Sequence, residues 1–221
     1  MKTFKQYLKE STSKTLTVYH GTQHNFKKLG GNVGIGIHTS PTLSSVYEFL
    51  DASWGISNKN KIFELKVKLN NPLVMKDIGC FNCPANFLEN LWHMKIFNDD
   101  EVRQLAIGFG ASPETQPVDY SDFKFHGERD EGAYEGQNSP VEFNKQDLRY
   151  LQRGHYPSDI ASYDEWEPTR QLLLSKGYDH LEYMNNTDAQ GVNYVIFFNS
   201  QILEVKPVKY DEEILDYKWR R

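Results

Sequence analysis

The residues from Ile62 to Leu69 alternate between apolar and polar side chains, and this alternation constrains the fold more than any other part of the sequence. The apolar positions are Phe63, Leu65, Val67 and Leu69, with Glu64, Lys66 and Lys68 between them. A period of two places one set on each face of a β-strand. Asn70, Asn71 and Pro72 follow and end the pattern. The sequence therefore predicts a half-buried strand over 62–69.

Further segments predict a mixture of strands and helices around that strand. The predicted strands lie at 16–20, 37–40, 181–184 and 192–198, and the predicted helices begin at Pro41 and cover 87–97, 101–109 and 168–175. The last two strands flank a turn over 185–191, which predicts a hairpin. Because strands outnumber helices and nothing repeats at a fixed period, we predict an α+β fold around one or two antiparallel sheets.

The length and the distribution of polar residues predict one domain with a short N-terminal segment before it and a long insertion within it. A chain of 221 residues with 38% hydrophobic residues suits a single core better than two. Residues 1–15 read as a short amphipathic helix followed by a polar linker, which leaves 16–221 as the domain. The span 110–157 is acidic and rich in Gly, Pro, Asp and Asn, which predicts a long insertion that is either a mobile lid or an ordered surface excursion.

Charge and hydropathy narrow the partners that this chain can have. The formal net charge of −5 argues against a generally basic nucleic-acid surface, although lysine pairs such as Lys27 and Lys28 leave local phosphate contact open. No apolar run approaches the roughly 18 residues of a membrane helix, and no secretory signal begins the chain. We expect a soluble protein with no membrane partner that starts in the cytoplasm.

Metal and covalent chemistry have little support in the sequence. Cys80 and Cys83 are the only cysteines, and they read as ordinary thiols, as half of a zinc site that would need a histidine such as His93, or as a redox pair. His20 and His24 lack the intervening glutamate of a helical zinc motif. No nucleophile elbow is present. We therefore expect no metal site and no covalent nucleophile.

Three motifs carry the chemistry, and they follow one another along most of the chain. They are Tyr19-His20-Gly21-Thr22, then Gly36-Ile37-His38-Thr39-Ser40 with Tyr47, then Asn193-Tyr194-Val195-Ile196-Phe197. This series resembles the diphtheria-toxin and PARP-like ADP-ribosyltransferases. Asn71-Pro72-Leu73 and Gly177-Tyr178-Asp179 are similar to motifs of phage-borne relatives. The resemblance implies split antiparallel sheets with flanking helices, and NAD as the substrate.

The resemblance also implies roles for individual residues. His20 would hold a ribose hydroxyl, and Gly21, followed by Thr22, would let the backbone approach the nicotinamide carboxamide. In the second motif, either Ile37 or His38 takes the place of the family tyrosine, next to Thr39. Tyr47 would form one wall of the nicotinamide slot or belong to the helix core. We expect the first and last strands to lie side by side, with the side chains of His20 and Asn193 facing a shared groove.

The third motif departs from the family at its first position. Active members carry a glutamate where this chain has Asn193, and an amide cannot supply the negative charge that stabilises an oxocarbenium-like transition state. Substitutes are Glu182 on the predicted partner strand, Asp188 in the turn, or the acidic stretch 128–135. We rank Glu182 first, and Asn193 makes polymer-forming activity improbable.

The N-terminus resembles the capsid-targeting leader of internal head proteins of large tailed phages. That leader ends in an aliphatic-x-Glu site, matched here by Leu8-Lys9-Glu10, which predicts cleavage after Glu10. The combined hypothesis is a mono-ADP-ribosyltransferase, packaged in the virion and delivered to the host cytoplasm, that modifies a host protein or, alternatively, a nucleic acid. The alternatives are an inactive NAD-binding or partner-binding module, and a packaged virion component.

Overall fold

The computed structural model describes residues 14–30, 33–55, 57–79, 81–82, 84–109, 161–185 and 191–209. These residues belong to two compact units. The first unit contains the described residues up to Leu29, those of Gly36–Asp77 and those from Leu173 onward. The second unit contains the described residues of Gly30–Ile35 and Ile78–Leu172. The strands among these described residues all lie in the first unit.

One sheet of the first unit is antiparallel and has three strands in the order β1-β3-β7. These strands are β1 (Lys14–Thr22), β3 (Lys61–Leu69) and β7 (Ile202–Val208). The central strand β3 is the one with the clear alternation, and its apolar side chains are the buried ones, with Leu65 and Val67 fully inaccessible. A strand with neighbours on both sides and one buried face is what the alternating pattern predicts.

The other sheet has four strands in the order β2-β6-β5-β4. They are β2 (Ile37–Thr39), β6 (Gly191–Ile196), β5 (His180–Asn185) and β4 (Pro72–Lys76). The pairs β2-β6 and β5-β6 are antiparallel, whereas β4 runs parallel to β5. The expectation of purely antiparallel sheets is therefore wrong at this edge, because β4 leads away from the sheet and the chain returns to β5 after a long connection in which three helices are described.

Helix α1 (Leu43–Trp54) packs in the first unit against β1 and β3. It begins after Thr42, whose side-chain oxygen accepts the backbone N–H of Ser45. Val46, Tyr47 and Leu50 form a core cluster with Ile62 of β3. Leu50 is completely buried, so the helix is fixed on the sheet by apolar contact.

The second unit contains α2 (Pro84–His93), α3 (Asp99–Gly108) and the first part of α4 (Glu167–Ser175). Trp166 is fully buried, and its ring lies 5.4 Å from that of Phe87 and 4.8 Å from that of Phe109. Edge-to-face aromatic contacts of this kind add about 0.5–1.5 kcal/mol to area burial. The predicted α+β composition is confirmed, with few helices and both antiparallel and mixed sheets.

Candidate functional site

The first and last motifs are separated by one strand, so the expectation that their strands lie side by side is wrong. Tyr19 of β1 and Ser40, just after β2, exchange two backbone hydrogen bonds of 2.7 and 2.9 Å. Thr39 of β2 in turn lies opposite Tyr194 of β6. The order β1, β2, β6 places all three motifs in neighbouring positions, with the second motif in the middle. This bridge is where the two sheets meet in the first unit.

His20 is held against the second motif through its imidazole. Its Nδ1 lies 2.9 Å from the backbone oxygen of His38. A carbonyl only accepts, so Nδ1 carries the proton and the neutral ring keeps an acceptor at Nε2. Burial lowers the pKa of His20, and the hydrogen bond to His38 opposes this shift without reversing it. The ring of Phe26 lies 5.3 Å away. His20 is thus an oriented acceptor of a hydroxyl hydrogen.

The strand register aligns three polar residues of sheet β2-β6-β5-β4 in one row, with His20 at its edge. Tyr19 and Ser40 form an isolated bridge, which brings the neighbouring residue His20 to the edge of this sheet, where its Nδ1 reaches the backbone oxygen of His38. Thr39 lies opposite Tyr194, which lies opposite Glu182. Residues directly opposite on neighbouring strands share a face of the sheet. Burial, and secondarily the charge of Glu182, raise the pKa of Tyr194, which is consistent with closeness of these two side chains.

Asn193 lies on the other face of the same sheet. It is opposite Tyr183 of β5 and next in sequence to Tyr194, so its side chain points away from the row of His20 and Glu182. Its amide donates a 3.3 Å hydrogen bond to the backbone oxygen of Gly191. On this face His38 Nδ1 lies 2.9 Å from the hydroxyl of Tyr183. Asn193 therefore shares a face with His38, and Glu182 does not.

The remaining residues predicted for NAD binding are packed into the first unit. Ile37 and Thr39 are 1% and 3% exposed, whereas His38 is half-buried. Thr22 is buried and its hydroxyl accepts the backbone N–H of His24 at 3.1 Å. Tyr47 belongs to the core cluster of α1, which is the second of the two roles considered for it.

Gly21 has a packing reason of its own. A methyl group placed on its Cα would stand 2.8 Å from side-chain carbons of both Val46 and Leu50. Helix α1 lies so close to β1 that only glycine fits without a shift. The close packing of α1 therefore accounts for a glycine at position 21 without any bound nicotinamide.

A buried polar network near β5 was not expected from the sequence as a site. The Asp179 carboxylate accepts the backbone N–H groups of Asn70 and Asn71 at 3.0 Å each, and the side-chain amide of Asn70 at 2.7 Å. It also accepts Nδ1–H of His180 at 2.7 Å. Burial acts to raise the pKa of Asp179, but these hydrogen bonds outweigh it and lower the pKa overall. The motifs Asn71-Pro72-Leu73 and Gly177-Tyr178-Asp179 are thus two halves of one contact.

Several predicted residues lie outside the described part of the chain. These are the leader with Leu8-Lys9-Glu10, the insertion 110–157, the acidic stretch 128–135, Asp188, Cys80 and Cys83. Across the ranges that are described, no cluster of three or more His, Cys, Asp or Glu side chains is arranged to hold a metal ion. In the same ranges, no helix is both long and apolar enough to cross a membrane.

Comparisons with known proteins give no family for this chain. No protein-family model matches it, and no curated protein is significantly similar in sequence. The crystal structure of an anti-CRISPR protein aligns with 89% of this chain and 97% of its own, with 10% sequence identity and a TM-score of 0.33. A likeness at that TM-score carries no argument about fold or activity. The site must therefore be judged on its own chemistry.

Proposed function

We propose that this protein is a mono-ADP-ribosyltransferase that uses NAD as its substrate and a host protein as its acceptor. The proposal extends to delivery by a phage, with the N-terminal leader directing packaging in the virion and the enzyme acting in the host cytoplasm. A nucleic-acid acceptor is the second choice, because the net charge of −5 does not favour a polyanion. The motifs of the sequence and the residues that the strand register aligns support the proposal.

The single observation that carries the proposal is the row of Thr39, Tyr194 and Glu182 across β2, β6 and β5, with His20 brought to its edge by the bridge between Tyr19 and Ser40. An oriented hydrogen-bond acceptor thus lies at the edge of a row that contains a carboxylate. A nicotinamide riboside offers hydroxyl donors and a developing positive charge, which are the complements of those two groups. The row also favours Glu182 over Asn193 as the group that replaces the family glutamate, since Asn193 points to the other face.

The proposed reaction is a substitution at the anomeric carbon of the nicotinamide ribose. The bond between that carbon and the pyridinium nitrogen breaks, its electron pair stays on nitrogen, and neutral nicotinamide leaves. An acceptor oxygen or nitrogen forms the new bond to the carbon and loses a proton, which the Glu182 carboxylate takes up. His20 Nε2 would accept a ribose hydroxyl and fix the sugar relative to the acceptor.

Glu182 would also stabilise the transition state electrostatically. Positive charge develops on the ribose as nicotinamide departs, and a fixed carboxylate lowers the energy of that state more than that of the neutral sugar. Loss of one such preorganised group costs about 2.7–4 kcal/mol in precedents from other enzymes, or about 100- to 1000-fold in rate. That magnitude makes Glu182 the most informative position to change.

A second candidate function is a catalytically inactive module that binds NAD or a protein partner. Asn193 favours it, because its amide is buried and donates to the backbone of its own strand at Gly191. Such a module would bind NAD and release no nicotinamide. A packaged virion component with no nucleotide binding is the third possibility, because a fold can be kept after its activity is lost.

Nicotinamide release from NAD by the full-length protein, with tagged NAD and a host lysate as acceptor, tests the proposal. We expect His20→Ala and Glu182→Gln to reduce release, the latter by about 100-fold or more. The matched controls are His24→Ala and Glu204→Gln, which change exposed residues of the same types. Asn193→Ala should leave release within a few-fold of wild type.

The outcomes separate the three functions. NAD binding without release would identify the inactive NAD-binding module, and the absence of NAD binding would leave the partner-binding module or the virion component. Release that survives Glu182→Gln but disappears in Asn193→Ala would transfer the catalytic role to the other face of the sheet. Release that is unchanged by His20→Ala would refute the role of the imidazole.

A further inference from the structure

Glu89 on α2 is a buried acid that lacks a hydrogen-bond partner among the described residues. Its side chain is 4% exposed. Neither carboxylate oxygen accepts a hydrogen bond from a donor in that part of the chain. A carboxylate removed from water in this way is costly unless a proton, a cation or hydrogen-bond donors compensate for the lost hydration. An orphaned buried acid in a folded protein therefore points to a group that binds beside it.

His93 lies one helical turn further along α2, and its Nε2 is 3.5 Å from Oε1 of Glu89. This distance is longer than an ordinary N–H···O hydrogen bond, which spans about 2.7–3.2 Å. Two ligands that each stand about 2.0–2.2 Å from one zinc ion at a tetrahedral angle are roughly 3.3–3.5 Å apart. The spacing of these two atoms thus fits a shared metal ion better than a direct bond.

The surroundings of the pair suit a cation that enters from solvent. The His93 side chain is 27% exposed while that of Glu89 is nearly inaccessible, so an ion would reach the carboxylate past the imidazole. The Nε2 of His93 faces Oε1 of Glu89, which places an imidazole nitrogen and a carboxylate oxygen on the same side of the helix. A carboxylate with an imidazole is a donor set that suits zinc.

We propose that Glu89 and His93 are the protein ligands of a divalent transition-metal ion of the zinc class, bound on α2 in the second unit. With two protein ligands the ion keeps water at its other positions. The site does not depend on the activity proposed above, since its residues lie on a helix of the second unit and the row of His20 lies in the first. The ion would take the place of the proton beside carboxyl oxygens that no described donor contacts.

Zinc titration of the chelator-treated, full-length protein by calorimetry tests the site. We expect saturable, stoichiometric binding that Glu89→Gln and His93→Gln each weaken by more than about tenfold. Glu48→Gln and His24→Gln are the matched controls on other elements, and they should bind zinc as the wild type does. Circular dichroism and thermal melts of each variant report whether the fold is retained.

Zinc should also raise the melting temperature of the wild type and not that of Glu89→Gln, because a ligand stabilises only the state that binds it. This second measurement keeps the test decisive if the His93 variant fails to fold. The absence of saturable binding to the wild type would overturn the proposal. Binding that survives both ligand variants would overturn it as well, since the metal would then be held elsewhere.

Discussion

Asp179 in the first unit and Glu89 in the second are both buried carboxylates, yet their surroundings are opposite. Asp179 receives hydrogen bonds from two backbone amides, an asparagine side chain and the imidazole of His180. Glu89 receives none from the residues that the structure describes. Hydrogen bonds lower the pKa of Asp179 despite its burial, whereas burial alone raises the pKa of Glu89 to about 8. For these two buried acids, the number of hydrogen-bond donors, and not the extent of burial, decides whether the charged or the neutral form is preferred.

The difference has opposite consequences for stability as the pH changes. Asp179 has a folded pKa below its ordinary value, so the stability it contributes is present above about pH 4 and is lost as the pH falls through the folded pKa. Glu89 has a folded pKa above its ordinary 4.5, so the folded state holds a proton that the unfolded state has already lost. Stability therefore falls as the pH rises from 4.5 towards 8.

The largest expected effect is that of Asp179→Ala. The change leaves the backbone N–H groups of Asn70 and Asn71 and the buried imidazole of His180 without their acceptor. A hydrogen bond to a charged group is worth about 1.5–3 kcal/mol in free energy of unfolding, and this carboxylate accepts four, so we expect a loss of about 3 kcal/mol or more. Urea denaturation of wild type and variant at pH 7 measures it. A loss below about 1 kcal/mol would show that the network contributes little.

A change at Glu89 is expected to act in the opposite direction. Glu89→Met keeps the length of the side chain and removes the charge that has no partner, so the metal-free protein should gain about 1–3 kcal/mol at pH 8. At pH 4.5 the gain should be much smaller, because the wild-type carboxyl is protonated there. Denaturation in the presence of a chelator at both pH values provides the measurement. A gain that does not depend on pH would mean that packing, rather than ionisation, is responsible.

The elements that the sequence predicts well are those whose buried face differs chemically from their exposed face. The alternation over 62–69 predicts β3, which the structure gives as Lys61–Leu69, because charged residues alternate with apolar ones. The strand β4 was not predicted, since its exposed residue Val74 is as apolar as its buried neighbours Leu73 and Met75. An alternation of apolar and polar residues cannot reveal the buried face of a strand when the residues on both faces are apolar.

Strand β7 was missed for a related reason. Its residues are exposed or half-buried throughout, and Pro207 lies within it, which is typical of an edge strand. The second predicted helix, over 87–97, ends at His93 instead, because Lys95 adopts a positive φ of 60° and turns the chain. Phe97 is still buried, so its apolar character reports the core of the unit and not the helix. Burial and secondary structure are separate properties at such positions.

The candidate site, too, could be predicted from the sequence only in part. The second motif on a short strand and the β5-β6 hairpin follow from local patterns, and the structure contains both, whereas β1 continues to Thr22, so His20 lies within the strand and not at its end. The order of strands does not follow from a pattern, because β2 separates β1 from β6 through contacts between distant residues. For the same reason the network of Asp179 could not be derived, although Asn71-Pro72-Leu73 and Gly177-Tyr178-Asp179 marked its two ends.

The smallest expected effect is that of Asn70→Ala, which removes one of the four hydrogen-bond donors to Asp179. Asn70→Ala deletes the side-chain amide that lies 2.7 Å from Oδ2 and keeps the backbone N–H, which is 3.0 Å from the same oxygen. A hydrogen bond to a charged group is worth about 1.5–3 kcal/mol, and the remaining donors limit the loss to the lower end of that range. Denaturation at pH 7 tests this, with the exposed Asn25→Ala as control.

On acidification, Asn70→Ala should also lose stability at a higher pH than wild type, since one of the interactions that lower the pKa of Asp179 is gone. An unchanged acid transition would mean that the backbone amides and His180 alone hold the carboxylate in its charged form.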